Sequence, residues 1–492
     1  MAPAQQTGAT RRMYIDGAWV EASNGATYTV PNPATEEVVG TAPDATVDDM
    51  DRAIAAARRA FDEGPWPRAT PNDRAKAIAR IAEAMERRKE EMRALLIAEA
   101  ACTHLTHGAQ VDAPIAHMHH WAELARTFEF SEPLPPRAAP GPLGPQMNSA
   151  IAHRQPVGVC GMIPTWNFPV YVTMQKLGPA LATGCTSVFK PSPWGPLINL
   201  FLAELIEEAD LPAGVVNFVT GQSVEIAEKL TRDPRIDKIS FTGSVAVGRR
   251  IIEASASNLK RVHLELGGKS VAIFLDPDDA MAPMTACGPT FFHSGQGCAM
   301  ATRVLVQRDA QDAFVEKMAA FAGSIPIGDP ADPGMMMGPV IREERRRKIL
   351  EYIESGKAQG ATLATGGGVP ADKTRGWFLQ PTVFANVDNK SRIAQEEIFG
   401  PIVAVIPFED EEDAIRIAND SSYGLGGAIY SRDTPKAVAM AKRLRTGAVW
   451  INNGLNQTDG PFGGFKESGI GREGGRWGME EYTEVQQIAW KA

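Results

Sequence analysis

A chain of 492 residues, 44% of them hydrophobic, is long enough for two or three domains with sizeable cores. Its formal net charge of −9 and the lack of a long basic run disfavour a nucleic-acid partner. Five widely spaced cysteines disfavour a disulfide scaffold, and the lack of an apolar leader or membrane-length run predicts a soluble cytoplasmic protein with no membrane partner.

The N-terminal region is predicted to contain a short hairpin followed by helices. We expect the residues up to Arg12 to be a disordered tag, and residues 13–20 to form two strands around Asp16–Gly17. Apolar spacing predicts helices over 48–61, 72–101 and 111–130. The last helix carries three histidines, but no Cys or carboxylate pattern completes a metal site there, so we predict no metal.

Two segments are predicted to leave the domain body. Residues 131–145 hold six prolines and two glycines, which argues against a regular element. Residues 147–154 and 484–490 both alternate in polarity, which is typical of strands. We expect them to pair with strands of neighbouring subunits in a dimer or a dimer of dimers, because exposed strand edges are prone to aggregation.

Strands and helices alternate over residues 157–271, which predicts a doubly wound parallel sheet. The strands are expected over 157–163, 186–190, 215–219, 238–241 and 262–265, and the helices over 170–182, 197–209, 224–230 and 244–256. Gly243 and Ser244 stand where a strand meets a helix, which suits a pyrophosphate against backbone N–H groups. Without G-x-G-x-x-G spacing this signal is weak.

Three residues are candidates for catalysis, each with a plain structural alternative. Cys298 has small neighbours that admit a substrate carbonyl, but a lone cysteine is more often a buried core residue. Glu265 stands between apolar neighbours at a strand end, where desolvation would raise its pKa and suit it to act as a general base. The structural alternative, a partly exposed carboxylate at the strand end, is disfavoured by these apolar neighbours. Asn167 follows a strand; its side-chain amide could donate to an oxyanion, or the residue could simply form a turn.

Seven motifs in sequence order are similar to those of the NAD(P)-dependent aldehyde dehydrogenase superfamily. They are Trp166-Asn167-Phe168-Pro169, Phe189-Lys190-Pro191-Ser192, Phe241-Thr242-Gly243-Ser244, Leu264-Glu265-Leu266-Gly267-Gly268-Lys269-Ser270, Gly295-Gln296-Gly297-Cys298, Glu397-Ile398-Phe399-Gly400-Pro401 and Pro461-Phe462-Gly463-Gly464-Phe465-Lys466. The resemblance runs from about Tyr14 to the C-terminus and favours the nucleophile interpretation of Cys298.

The resemblance implies an α/β fold in three parts. A Rossmann-like cofactor-binding domain is expected over 1–130 and 156–269, and an α/β catalytic domain over 270–478. A small β oligomerisation element is expected over 131–155 and 479–492, giving a homodimer or homotetramer.

The same resemblance implies the roles of individual residues. Cys298 attacks the aldehyde, Asn167 and the Cys298 N–H hold the oxyanion, and Glu265 activates the hydrolytic water. The cofactor NAD is expected to be bound by Thr165, Trp166, Lys190 at the adenosine ribose, Gly243, Ser244 at the pyrophosphate, Leu266, and Glu397 with Phe399 at the nicotinamide. The product is a carboxylic acid, released from a cysteine thioester.

Three positions depart from the family pattern. Thr165 replaces a proline that usually precedes the Trp-Asn pair, and Gly297 is unusual before the nucleophile. Pro193 stands where NAD-preferring members often carry a glutamate that binds the adenosine ribose. We therefore expect NADP to be accepted alongside NAD.

The substrate is predicted to be an apolar aldehyde, aromatic or of medium chain length. Phe168, Val172, Phe292 and Phe462 match positions that line the substrate tunnel of the family, although each aromatic ring can equally belong to a core. No Arg or Lys occurs in residues 291–301 to bind a carboxylated substrate. Two alternatives remain: a CoA-acylating relative, which does not need Glu265 as a base, and a catalytically silent homologue with a structural role.

Overall fold

The computed structural model describes residues 9–491 as an α/β protein with 21 strands and 15 α-helices. The strands are β1 Ala9–Thr10, β2 Met13–Ile15, β3 Ala18–Val20, β4 Thr27–Pro31, β5 Val38–Pro43, β6 Ser131–Gly141, β7 Gly144–Pro156, β8 Val159–Ile163, β9 Thr186–Phe189, β10 Val216–Phe218, β11 Lys238–Thr242, β12 Arg261–Glu265, β13 Ser270–Phe274, β14 Ala301–Gln307, β15 Thr362–Thr365, β16 Thr382–Ala385, β17 Ile402–Phe408, β18 Gly426–Tyr430, β19 Ala448–Ile451, β20 Gly469–Ile470 and β21 Thr483–Lys491.

The helices connect these strands and cover both large sheets. They are α1 Val47–Asp62, α2 Pro71–Arg87, α3 Lys89–Ala100, α4 Ala113–Thr127, α5 Pro169–Thr183, α6 Pro196–Glu207, α7 Val224–Arg232, α8 Val245–Ser255, α9 Ala282–Phe292, α10 Gln311–Ser324, α11 Glu343–Ala358, α12 Arg392–Gln395, α13 Glu411–Asn419, α14 Thr434–Ala441 and α15 Gly475–Glu481. Within residues 9–491, none of them is both long and apolar enough to cross a membrane.

The first large sheet has eight strands in the order β20-β12-β11-β8-β9-β10-β2-β3. Its five central strands, β12 to β10 in that order, are parallel, and buried clusters cover both faces. The strand order reverses between β8 and β11, so a crevice opens beyond their carboxyl ends. This confirms the doubly wound sheet predicted from the alternating pattern.

The second large sheet has seven strands in the order β15-β16-β17-β14-β13-β18-β19. All neighbours are parallel except β15 and β16, which run antiparallel. Its central strands are mostly apolar because helices cover both faces. The strand β13 begins only four residues after β12 ends, which brings the two sheets together at the Gly267–Gly268 turn.

The N-terminal hairpin forms as predicted, but the tag prediction was partly wrong. Asp16 and Gly17 have φ angles of 56° and 77°, the left-handed pair that a two-residue hairpin turn requires. Ala9–Thr10 are not disordered: they form β1 and pair in parallel with β5. Residues 1–8 lie outside the described part of the chain. The predicted helix over 72–101 is divided at Arg88 into α2 and α3.

The proline-rich segment corrects two predictions. Residues 131–141 form strand β6, which lies at the edge of a three-stranded sheet with the order β21-β7-β6. An edge strand tolerates proline because its outward N–H groups need no partner in the sheet. The two alternating segments, in β7 and β21, pair with each other over nine residue pairs within one subunit. Only the outer edges of β6 and β21 remain for a neighbouring subunit.

Near the predicted end of the catalytic domain at residue 478, the chain pairs with the first large sheet. Gly469–Ile470 form β20, which pairs antiparallel with β12 in the first sheet. Met479 and Tyr482 are buried in the core cluster of that sheet. The chain therefore returns to the first sheet before the predicted boundary, because β20 closes the sheet edge beside Glu265.

Candidate active site

One cavity of about 1060 Å³ lies between the two large sheets. Parallel pairing puts the carboxyl ends of β8, β11 and β12 at one level, and Thr242 is directly opposite Glu265. The segments that follow these strands line the cavity together with the N-terminal half of β13 and the loop around Cys298. Thirteen of the fifteen predicted site residues line it: Thr165, Trp166, Asn167, Phe168, Val172, Gly243, Ser244, Glu265, Leu266, Cys298, Glu397, Phe399 and Phe462. The other two, Lys190 and Phe292, do not.

The loop that carries Cys298 follows helix α9 and is fixed by its own polar side chains. Ser294 and Gly295 adopt left-handed conformations, and a Cβ at Gly295 would lie 1.8 Å from the Gly400 carbonyl oxygen, so only glycine fits. The Ser294 hydroxyl donates to the Gly338 carbonyl at 2.6 Å. The Gln296 side chain accepts from the Ile341 N–H at 2.9 Å. The loop geometry therefore does not depend on the thiol itself.

Asn167 is joined directly to this loop. Its side-chain NH₂ group donates to the Gln296 backbone carbonyl at 2.8 Å. The backbone carbonyl of Asn167 accepts from the Gln110 side-chain amide at 2.7 Å. His293 Nε2 lies 2.9 Å from the same carbonyl oxygen. The side-chain NH₂ group of Asn167 makes one hydrogen bond among the described residues, the one to Gln296, and Asn167 lines the same cavity as Cys298, so its second N–H is available to an oxyanion there.

Glu265 is buried at the end of β12, and neither carboxyl oxygen has a hydrogen-bond partner among the described residues. Burial, with a further contribution from the Glu473 carboxylate, raises the pKa of Glu265 well above its usual value. His263 Nε2 lies 3.4 Å away, but burial lowers the pKa of that imidazole, so the ring is neutral. A carboxyl with a raised pKa and no fixed partner is suited to exchange a proton with water.

Glu473 is held beside Glu265 by an ion pair. It lies 3.1 Å from Nζ of Lys176, which is fully buried and also donates to the Ser240 hydroxyl at 3.0 Å. Breaking such a pair would leave one buried charge without a partner.

Cys298 combines access with a thiol that is protonated at rest. It is part-exposed, whereas the other four cysteines are buried, and all five are free. Desolvation, with further contributions from the nearby Glu397 and Glu265 carboxylates, raises the pKa of the Cys298 thiol to about 12. Hydrogen bonds from the backbone N–H groups of Ala299 and Cys298 oppose this shift. Activation therefore requires a base or an added positive charge in the cavity.

The other side of the cavity fits a dinucleotide. Gly243, Ser244, Val245 and Ala246 line it at the N-terminus of the eleven-residue helix α8, where backbone N–H groups suit a pyrophosphate. A Cβ at Gly243 would lie 2.4 Å from the Phe241 ring, so the close approach of the backbone requires glycine. Lys190 follows β9 outside this cavity, and burial lowers its pKa to about 8.

An aromatic group and a carboxyl lie next to that helix terminus. The Trp166 ring packs at 5.6 Å against both Trp194 and Phe399, measured between ring centroids. Glu397 Oε1 accepts from the Gly268 N–H at 2.9 Å, and a Cβ at Gly267 would lie 2.2 Å from its other oxygen. The Gly267–Gly268 turn therefore positions Glu397 against the cavity, and burial raises the pKa of Glu397 to about 7.

Phe292, predicted to line the substrate tunnel, does not line this cavity. Helix α9 faces the cavity through Thr285, Ala286, Pro289 and Thr290. Phe292 lies on the neighbouring face with Gly288, where a Cβ at Gly288 would meet the Phe292 ring at 3.3 Å and Phe321 at 3.8 Å. The ring therefore packs towards α10. Phe168 does line the cavity, and its ring makes an edge contact with His293 at 5.0 Å.

Sequence reasoning missed several residues that shape the site. Gln110, His293 and Gln296 hold Asn167 and the Cys298 loop, and Tyr171 and His117 line the cavity. Sequence spacing gave no signal for Gln110, which lies in a short π-helical segment, Gly108–Asp112, 57 residues before Asn167. Tyr171 could have been found, because it lies four residues after Asn167 at the start of a helix. Among residues 9–491, no three His, Cys, Asp or Glu side chains are grouped to hold a metal ion.

The cavity between the two large sheets contains an accessible thiol, a buried carboxyl and a helix N-terminus suited to a dinucleotide pyrophosphate. Together these features indicate an oxidoreductase with two α/β domains. The sequence model of the Aldehyde dehydrogenase family matches residues 19–488. The chain belongs to the aldehyde dehydrogenase family, and it is accordingly an NAD(P)-dependent enzyme that oxidises aldehydes. The family and the fold class predicted from the motifs are confirmed.

Known relatives cover nearly the whole chain. The betaine aldehyde dehydrogenase of Bacillus subtilis is 38% identical over 97% of each chain. The geranial dehydrogenase of Castellaniella defragrans is 39% identical over 97% of this chain and 98% of its own. The crystal structure of Mycobacterium tuberculosis aldehyde dehydrogenase complexed with NAD+ matches with a TM-score of 0.92 and 41% identity over 98% of both chains. These relatives are named for different aldehydes although they are about equally similar to this chain, so similarity alone does not identify the substrate.

Proposed function

We propose that this enzyme oxidises an apolar aldehyde, aromatic or of medium chain length, to the carboxylic acid by a hydrolytic route. The observation that supports it is the joint presence of Cys298, Asn167 and Glu265 on one cavity whose other walls are largely apolar. Five unpaired cysteines are compatible with the reducing cytoplasm, where we expect the enzyme to work.

In the first half of the reaction the thiolate of Cys298 adds to the aldehyde carbon. The negative charge that develops on the oxygen is stabilised by the Asn167 amide and the Cys298 backbone N–H, which are preorganised by the hydrogen bonds described above. A bound nicotinamide would supply the hydride acceptor that the adduct on Cys298 requires. Residues 243–246 would hold the pyrophosphate, with Trp166, Glu397 and Phe399 on the nicotinamide side.

In the second half Glu265 removes a proton from water, which attacks the Cys298 thioester. The unpartnered carboxyl at the cavity wall supports this role. A CoA-acylating enzyme would have no use for this base, and a silent homologue would have no use for any of the three groups. Both alternatives are therefore less well supported than hydrolysis.

The substrate class is tested with a panel of aldehydes. We expect benzaldehydes and medium-chain alkanals to be oxidised with a kcat/KM at least about tenfold above that of glycolaldehyde or a semialdehyde acid, because apolar walls contribute roughly 0.8 kcal/mol per buried methylene. The measurement is NAD(P)H absorbance at fixed aldehyde and cofactor. A preference for charged or very small aldehydes would contradict the proposal.

The cofactor preference rests on Pro193, in the segment after Lys190. Proline offers no carboxylate to accept from the ribose 2′-OH or to repel a 2′-phosphate, and Lys190, with a pKa lowered to about 8, stays mostly cationic at pH 7. Losing one charged hydrogen bond is worth roughly 1.5–3 kcal/mol, enough to erode a tenfold preference without reversing it. We expect turnover with both cofactors, with NAD still preferred.

The test compares kcat/KM for NAD and NADP in the wild type, Pro193→Glu and the uncharged control Pro193→Gln. We expect the glutamate to reduce NADP use at least about tenfold and glutamine to change it much less. Discrimination against NADP above about a thousandfold in the wild type, or equal effects of the two substitutions, would place the selectivity elsewhere.

We also propose that the enzyme assembles through the outer edges of the three-stranded sheet. Trp490 and Ile488 on β21 are 49% and 41% exposed in the single subunit, which is typical of a surface that is covered in an oligomer.

Deleting residues 483–492 should convert a dimer or tetramer into smaller species, as measured by light scattering. Ile488→Glu, which should not disturb the subunit fold, should do the same, whereas Val369→Glu on another surface should not. A native oligomer in both β21 variants would refute this assembly.

A further inference from the structure

A buried amide network reaches the cavity beside the proposed substrate tunnel. Trp121 of α4 is clamped between α5 and α15: a Cβ at Gly178 would lie 2.2 Å from its ring, and one at Gly478 would lie 2.8 Å away. Its indole N–H donates to Gln175 Oε1 at 3.2 Å. Gln175 Nε2 in turn lies 2.8 Å from His117 Nδ1 and 3.1 Å from the Tyr171 hydroxyl.

The direction of each hydrogen bond follows from Trp121. An indole N–H only donates, so the Gln175 atom that it contacts is the carbonyl oxygen, and the other is the NH₂ group. Both N–H bonds of that group are then used, one to His117 Nδ1 and one to the Tyr171 oxygen. His117 consequently carries its proton on Nε2, and the Tyr171 O–H hydrogen is free to donate elsewhere.

Two donors therefore face the cavity without an acceptor. His117 and Tyr171 both line it, their rings lie 5.2 Å apart, and within residues 9–491 Nε2 of His117 has no hydrogen-bond partner. Burial lowers the pKa of His117, so the ring is neutral at pH 7 and offers a donor without a positive charge. A neutral acceptor fits this pair better than a carboxylate does.

The pair lies on the same cavity as the proposed reacting groups. Tyr171 is in the first turn of α5, four residues after Asn167, and His117 is on α4; both line the cavity together with Asn167 and Cys298. The tail of an aldehyde bound at Cys298 is therefore the part of the substrate that this pair can contact.

We propose that His117 and Tyr171 determine substrate specificity by binding a neutral oxygen acceptor, an ether, carbonyl or hydroxyl, on the tail of an otherwise apolar aldehyde. This inference rests on the proposed function, because it concerns the far end of the same substrate. Gln175 acts as a positioning residue, since it fixes the tautomer of His117 and the direction of the Tyr171 hydroxyl.

The test uses 4-methoxybenzaldehyde and 4-ethylbenzaldehyde, which have similar shapes but differ in the acceptor oxygen. We expect the ratio of their kcat/KM values, methoxy over ethyl, to fall about three- to tenfold in His117→Phe and in Tyr171→Phe, the effect of one neutral hydrogen bond. Intrinsic reactivity cancels when each variant is compared with the wild type. His119→Phe, an exposed residue on the same helix, should leave the ratio unchanged.

Hexanal separates the two proposals. If the wild type oxidises hexanal but the methoxy-to-ethyl ratio is the same in all variants, the specificity role is overturned and the dehydrogenase function stands. Oxidation of hexanal with neither benzaldehyde accepted also overturns it. A wild type that oxidises none of the three aldehydes overturns the proposed function itself. Because Tyr171→Phe removes only one oxygen atom, it remains informative if His117→Phe fails to fold.

Discussion

Cys298→Ser should abolish dehydrogenase turnover, with kcat reduced at least about a thousandfold, while cofactor affinity changes less than about threefold. A serine hydroxyl is far less nucleophilic than a thiolate at neutral pH, and a thousandfold corresponds to about 4 kcal/mol of activation free energy. The loop should keep its shape because Ser294 and Gln296 hold it, not the thiol. Steady-state rates and NAD binding by protein fluorescence measure the two effects.

Cys287→Ser is the matched control for this substitution. The Cys287 thiol is buried in α9 and donates to the Pro283 carbonyl at 3.1 Å, a bond that a serine hydroxyl can also form. We expect its activity to stay within about twofold of the wild type, because a conservative change away from the reacting atoms costs little. A Cys298→Ser enzyme that retains near wild-type turnover, or a Cys287→Ser enzyme that loses it, would contradict the assignment of the nucleophile.

Iodoacetamide should label Cys298 before the other four cysteines, and the reason is access. Burial raises the pKa of Cys102, Cys287 and Cys298 alike to about 12, so acidity does not distinguish these three thiols. Only Cys298 is part-exposed. Since the thiolate fraction grows tenfold per pH unit below the pKa, the labelling rate should rise steadily between pH 7 and 10. Peptide mapping by mass spectrometry identifies the labelled residue.

The grouping of Cys298, Glu265 and Asn167 on one cavity could be predicted because each residue lies in a short local pattern. Asn167, Glu265 and the loop before Cys298 each end or follow a regular element, and parallel pairing brings the ends of β8, β11 and β12 to one level. Alternation of strands and helices over residues 157–265 fixed the order of those elements to within a few residues. Local patterns and the rules of parallel sheets were sufficient for this part of the site.

The wrong predictions depended on contacts between residues distant in the sequence. The six prolines of residues 131–145 argued against a strand there, yet β6 forms because proline is tolerated at a sheet edge, where β6 pairs with β7. A two-residue strand such as β20 has no periodicity to detect, yet it pairs with β12 of the first sheet before residue 478. Phe292 lies outside the cavity because the rotation of α9 about its axis is set by packing against α10, and sequence spacing does not give that rotation.

Glu265→Gln should stall the cycle after hydride transfer. Glutamine is isosteric and neither oxygen of Glu265 bonds a partner among the described residues, so the substitution should leave the fold and the first half-reaction intact. Without a base, water attacks the thioester slowly, and loss of general base catalysis costs about a hundred- to ten-thousandfold in rate. We expect a burst of one equivalent of NAD(P)H followed by almost no steady-state turnover, and an acyl adduct on Cys298 by intact mass.

The pH dependence of the wild type should report the same carboxyl. Burial and the Glu473 charge raise the pKa of Glu265, so the base is active only when deprotonated, and hydrolysis should accelerate as pH rises through that raised value. In Glu265→Gln this rise should disappear from the deacylation step. Glu467→Gln, at an exposed surface pair with Arg249, should show neither the burst nor the altered profile. If Glu265→Gln gives no burst and no thioester, Glu265 acts before hydride transfer, for example by taking the proton of the Cys298 thiol.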